Sequence, residues 1–319
     1  MRLLLALTVS LLVAPVHAQE YPNRPVRLIV AFPPGGAVDL TGRILGKHLG
    51  EALGQPVVID NKPGAGGIIA TEAAAKAKPD GYTLYLSDNS PFVINPLTYR
   101  MLPYDAVNDF LPISLIAYTT HVLVANAELV PANSLAEFVA FVKANPGKID
   151  YASSGTGGAH HLSMELFKSA AGLEINHVPY KGGAPALQDV VGGRVHAMFS
   201  SISTFIPQRK SGRLKAYAVG SPKRSALVPD LPTLSELGYP GVDAQSWFGV
   251  VGPKGIPNDV SDHLQRTFAR VTQLPAFGEQ LASTGLEPYP GTPEQFSALI
   301  RRDIDSFGPV IRRLNLRSD

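Results

Sequence analysis

The chain has 319 residues, a formal net charge of +2, only 17% charged residues and no cysteine. That length exceeds one small module and admits two packed lobes, and the weak charge excludes a broad basic surface for nucleic acid. The missing thiols exclude a disulfide framework, a thiolate metal site and a lipid-modified cysteine, so the core must hold by packing alone.

The opening "MRLLLALTVSLLVAPVHAQE" has Arg2 as a positive start, an apolar run from Leu3 to Val13 and the small residues Val16 and Ala18. This is the layout of a secretory signal over residues 1–18. The run is shorter than the roughly 20 residues that span a bilayer, so the mature chain is expected to be soluble after export. Next, "RPVRLIVAF" reads as a buried strand, and "DLTGRILGKHLGEALG" as a helix with Leu45, Leu49, Ala52 and Leu53 on one stripe. "PVVIDN" is a second strand, "GAGGIIATEAAAKAK" a second helix opened by glycines, and "PDGYTLYLSD" a turn and third strand. This alternation predicts parallel β-α-β units.

A second β-α series starts near "VLVANAELV" and runs through "SLAEFVAFVKAN", "IDYASSG", "HHLSMELFKSAAG", "INHVPY", "APALQDVVGG" and "VHAMFSS". "LKAYAVGS" and "AQSWFGVVGP" add strands before the closing helices. In the last helix, Phe296, Leu299, Ile300, Ile304, Phe307 and Ile311 recur at helical spacing, and Asp303 and Asp305 interrupt its arginines, as on the solvated side of a docking helix. The final helices have no sheet of their own. The chain is therefore expected to return to its first lobe, giving 19–120 with 235–319 as lobe 1, 121–234 as lobe 2, and a hinge between them.

Ligands of open α/β sheets sit beyond the carboxyl ends of the strands, which singles out four junctions. "FPPGGAVD" offers Phe32, Gly35, Gly36 and Asp39, with backbone N–H groups and a helix N-terminus suited to an anion; a plain turn with Asp39 as helix cap is the competing reading. "SSGTGGAHH" repeats the form with Ser154, Thr156, Gly158 and the adjacent pair His160 and His161, one of which would face the cleft while the other packs or caps the helix. "LSDNSPFVIN" contributes Ser87, Asn89 and Ser90, and "MFSSIST" contributes Ser200 and Ser201. These junctions supply neutral donors without arginine or lysine.

Catalytic signatures are missing. The sequence has no GxSxG, HExxH or GxxxxGK[ST], and "GAGGII" has Ile69 where a dinucleotide fingerprint needs glycine. Ser154 and His161 lack the nucleophile elbow and ordered third member of a hydrolase. No enzyme activity, cofactor or metal is expected.

Taken in order, "FPPGGAVD", "GQPVVIDNKPGAGG", "KPDGYTLYL", "LPYDAVNDFLPIS", "SSGTGGAHHLSMELFK", "HVPYKGGAPALQDVVGGRV", "LPTLSELG" and "SWFGVVGP" closely resemble the Bug-type solute-binding receptors of tripartite tricarboxylate transporters, over nearly the whole mature chain. The resemblance implies a two-lobed α/β type II periplasmic binding protein fold. It implies a periplasmic monomer that closes on a small carboxylate and presents it to membrane permease subunits. Phe32, Gly35, Gly36 and Asp39 would form one half-site, and Ser154, Thr156 and His160 the other. The chain departs from the family at Ser200, where relatives often carry an acid or amide, and a cleft without an acid disfavours an amino-acid ligand. A plain mono- or dicarboxylate, aromatic ones included, fits neutral donors. A sensor input protein on the same fold and an exported hydrolase are the other function classes.

Overall fold

A computed structural model describes residues 21–313, 315 and 316; the signal sequence expected at 1–18 lies outside them. The first half comprises β1 (Val26–Val30), α1 (Ala37–Leu53), β2 (Val57–Asn61), α2 (Ile68–Ala75), β3 (Thr83–Asp88), α3 (Asn95–Thr98), β4 (Phe110–Asn126), α4 (Leu135–Ala144) and β5 (Asp150–Ser153). It is followed by α5 (Ala159–Ala171), β6 (Asn176–Pro179), α6 (Gly183–Val191), β7 (Ala197–Ser201), α7 (Ile202–Phe205), β8 (Leu214–Val219), β9 (Gln245–Pro253), α8 (Asn258–Thr272), α9 (Pro275–Ser283), β10 (Glu287–Gly291) and α10 (Pro293–Arg313).

The strands are ordered β2-β1-β3-β9-β4-β7-β5-β6, and β8 and β10 both add to β4. The predicted parallel units are present: β1 pairs in parallel with β2 and β3, and β5 with β6 and β7. Helices cover both faces of each set, as parallel strands require. In the first lobe, α1, α8 and α9 bury Leu45, Leu49, Leu264, Phe268 and Phe277 on one side, and α2 and α10 bury Ala70, Phe296 and Leu299 on the other. In the second, Phe138, Met164 and Phe167 fill one face, and Ala186, Leu187 and Val190 the other.

Unlike anything the sequence predicts, β4 is a single strand of 17 residues that serves both lobes. Its Phe110–Thr120 portion pairs with β9, and its His121–Asn126 portion pairs with β7 and β8. Where it changes partners, three chain passes meet. His121 N–H donates to Ala244 O, Gly220 N–H to His121 O, and Ala244 N–H to Gly220 O, each at 2.9 Å. The passes are so close that a Cβ on Gly220 would stand 2.2 Å from the Ala244 Cβ. Leu234, Val242 and Ala244 still pack in the second core. The chain therefore leaves that core after Ala244, beyond the 234/235 border expected from the sequence.

Candidate functional site: a cleft at three helix N-termini

Three helices aim their N-termini at one cavity of about 400 Å³ between the lobes: α1 through Gly36 and Ala37, α5 through Ala159 and His160, and α6 through Gly183 and Ala184. Their N-caps are Gly36, Gly158 and Gly182, and none makes a side-chain cap bond. By contrast, α4, remote from the cavity, is closed by side chains: Glu137 N–H donates to Ser134 Oγ at 3.2 Å and Asn133 N–H to Glu137 Oε2 at 2.8 Å. Glycine caps leave first-turn N–H groups open. Within these helices the first N–H groups bonded back to the chain are those of Leu40 to Gly36 O, Leu162 to Gly158 O and Ala186 to Gly182 O. The cap Gly158 N–H already goes to Gly155 O, and Pro185 has none, so α6 offers only Gly183 and Ala184. The other N–H groups at these helix starts, together with the positive ends of three helix dipoles, make an anion site.

The first loop is held by Asp39, which is 1% exposed. Its Oδ2 accepts from Gly35 N–H at 2.9 Å and Arg43 Nε at 2.8 Å, and its Oδ1 from Asn61 Nδ2 at 2.9 Å. Burial pushes its carboxyl up, but the bonds from Arg43, Gly35 and Asn61 outweigh burial and hold it below the usual carboxylate range. Asp39 thus shapes the loop from behind, and Gly35 spends its N–H on Asp39. Asp39 is not among the residues lining the cavity, whereas Gly35, Gly36 and Phe32 are.

On the opposite wall, His160 Nε2 lies 2.9 Å from Ser201 Oγ. Burial drives its imidazole down to about 4, so it is a neutral polar group at pH 7. The start of α6 packs against this ring: a Cβ on Gly183 would lie 2.7 Å from His160 Cε1. Ser154 and Ser201 also face the cavity. His161 does not; its Nδ1 accepts from Gly157 N–H at 3.0 Å and its ring stacks on His177 at 3.9 Å.

Family comparison agrees with this geometry. Residues 41–316 match the model described as "Tripartite tricarboxylate transporter family receptor". The chain belongs to that family. It is 40% identical to Protein BugT of Bordetella pertussis over 300 residues, covering 94% of this chain and 92% of BugT. Among solved structures, it matches the periplasmic binding protein BugD at 34% identity and TM-score 0.86, covering 94% of this chain and 100% of BugD. It also matches an R. palustris protein solved with adipate at 34% identity and TM-score 0.88, covering 93% and 99%. The receptor therefore has the two-lobed periplasmic binding protein fold and belongs with solute-binding proteins, not enzymes. Among the described residues no helix is long and apolar enough to cross a membrane, and no cluster could hold a metal.

Several expected contacts are not brought to the receptor's cleft. Thr156 is exposed and Gly158 acts as N-cap. Ser87 is fully buried beneath the wall; Ser90 is buried and donates its N–H to Asp88 Oδ1 at 3.0 Å. Ser200 is buried, its hydroxyl 3.0 Å from that of Thr204. Asn89 lines a different cavity of about 560 Å³ together with Tyr118, Thr120 and Gln245. The two cavities lie on opposite faces of the same strands: Asp88, Thr119 and Ser246 face the first, while Asn89, Thr120 and Gln245 face the second.

The cleft also contains residues that the sequence did not single out. Lys181, exposed at the rim, supplies a cation, and Asp88 supplies an acid. The signal for the first was "YKGGAP", a third glycine-opened strand-to-helix junction of the same form as the two chosen. Asp88 stands within "LSDNSPF" among neutral polar residues, with no glycine-opened junction to mark it.

Proposed function

We propose that this receptor captures a small mono- or dicarboxylate in the periplasm and hands it to the permease subunits of a tripartite tricarboxylate-type transporter. The observation carrying the proposal is the convergence of three glycine-capped helix N-termini on one interlobe cavity. N–H donors satisfy a carboxylate through charge-assisted hydrogen bonds, each worth about 1.5–3 kcal/mol. A single rim lysine suits one or two carboxylates better than citrate or a phosphate ester. The R. palustris relative solved with adipate supports this ligand class.

The two sides of the site lie on residues 21–120 with 245–316 and on residues 121–244, joined at Thr120–His121 and Ala244–Gln245. Capture closes these lobes about the two connections, excluding water from the anion. A monomer suffices, because one chain supplies both walls. A thermal-shift screen of purified protein against mono- and dicarboxylates, with citrate and phosphate as controls, tests the reading. A ligand at 100 times its dissociation constant adds about 2.7 kcal/mol of stability; no shift with any carboxylate overturns it. Crosslinking the loaded protein to membranes with and without the permease tests delivery, and capture independent of the permease favours a sensor role.

A further inference from the structure

The cleft wall that faces the three helix ends carries an acid. Strand β9 lies between β3 and β4, with Asp88 opposite Phe248 and Thr119 opposite Ser246. Ser246 and Phe248 are two residues apart and share a face, so these four side chains form one patch on the cavity wall. Within it, Asp88 is half-buried. Its Oδ1 accepts the Ser90 N–H at 3.0 Å, and among the described residues no cation stands against it. Burial raises its carboxyl to about 6, against the opposing Ser90 hydrogen bonds, so above that pH it is an ionised acceptor. The other titratable groups of the cavity are the neutral His160 and the rim Lys181.

An ionised acid in a cavity built for an anion repels a plain carboxylate. A ligand that brings its own donor turns that repulsion into a hydrogen bond. We propose that Asp88 determines specificity in this cleft by accepting a hydrogen bond from a hydroxyl or ammonium group next to a ligand carboxylate, so that hydroxy- or amino-carboxylates bind in preference to plain ones. The proposal rests on the carboxylate reading above and reverses the expectation, drawn from neutral donors alone, that an amino acid is disfavoured.

The test is calorimetry at pH 7.5 with succinate, glutarate and adipate beside their 2-hydroxy and 2-amino counterparts, on wild type, Asp88→Asn and Asp88→Ala. The wild type should bind a donor-bearing member at least tenfold more tightly than the plain diacid of the same length, about 1.4 kcal/mol. Asp88→Asn should remove the preference for the ammonium, and Asp88→Ala the preference for both donors. The plain diacid should bind Asp88→Ala as well as or better than wild type, which a merely damaged fold would not produce. Equal binding of plain and donor-bearing acids by the wild type overturns the proposal, as does a preference that survives in Asp88→Ala. So does binding of plain diacids that tightens below pH 6 without a donor preference, since Asp88 would then simply take up a proton. Binding of none of the nine acids overturns the carboxylate reading itself, and this proposal with it; loss of the donor preference alone leaves that reading intact.

Discussion

Replacing Gly36 by serine separates a glycine kept for ligand binding from one kept for the turn. Gly36 has φ −82° and ψ 169°, ordinary extended backbone for an N-cap. The nearest atom to an added Cβ is Pro33 O, at 3.7 Å. Serine therefore fits without strain, and its hydroxyl should accept a first-turn N–H of α1, adding a few tenths of a kcal/mol to stability. The same bond withdraws that N–H from the ligand. Losing one charge-assisted hydrogen bond of about 1.5–3 kcal/mol weakens carboxylate binding about 10- to 150-fold. Calorimetry gives the affinity, and scanning calorimetry without ligand gives the stability. A melting temperature at or slightly above wild type, together with at least tenfold weaker binding, is expected. Unchanged affinity in a protein of unchanged stability would refute the claim that the α1 N-terminus holds the anion.

Further consequences concern the frame around the cleft. Asp39→Ala releases Gly35, Asn61 and Arg43 from a buried acceptor and should cost about 2–3 kcal/mol as well as weakening ligand binding; denaturant melts and calorimetry measure the two, and a loss confined to binding would mean that Asp39 touches the ligand. Gly220→Ala forces a Cβ onto Ala244 and should destabilise by about 1–3 kcal/mol, whereas a melting temperature within a degree of wild type would show that the junction has slack. Acid should also destabilise the protein. Burial holds His160, His161 and His177 at about 4 and His121 well below its ordinary value. Between pH 6.5 and 4 the unfolded chain thus binds protons that the folded chain refuses, and stability is lost as pH falls through that range. Asp88, raised to about 6, works the other way, because the folded state takes up its proton first and gains stability as pH falls towards 3.8. Four rings outweigh the two raised acids, Asp88 and Asp243, so thermal melts should fall steadily from pH 7 to 4.5, and a flat profile would contradict the buried neutral imidazoles.

Most of the β-α rhythm was legible because apolar runs such as "VRLIV" are buried on both faces of a parallel sheet and the glycines punctuate them. The long β4 was not. Pro112, Ser114, Thr119 and Thr120 break its apolar run, and register shifts between Pro112 and Ser114 and between Leu115 and Ala117 spoil its alternation. β10, "EPYPG", was hidden by two prolines. In the site, the loop-to-helix form found Gly36, Ser154 and His160 because a glycine cap is visible in sequence. It could not tell Asp88 from Asn89, or Ser200 from Ser201, because strand pleating sends neighbours to opposite faces and only the pairing register decides which face is the cleft. The role of Asp39 is equally hidden in sequence, because a helix-start acid can serve the loop behind it as well as a ligand in front.

In the proposed function a small carboxylate is held by the open first turns of α1, α5 and α6. A crystal structure of the protein with the tightest-binding acid tests it most directly. The ligand carboxylate should lie about 2.7–3.2 Å from first-turn N–H groups of these helices, directly or through one bridging water. A carboxylate seated in the cavity lined by Tyr118, Thr120 and Gln245, or gripped by side-chain cations away from the three helix ends, would contradict the account.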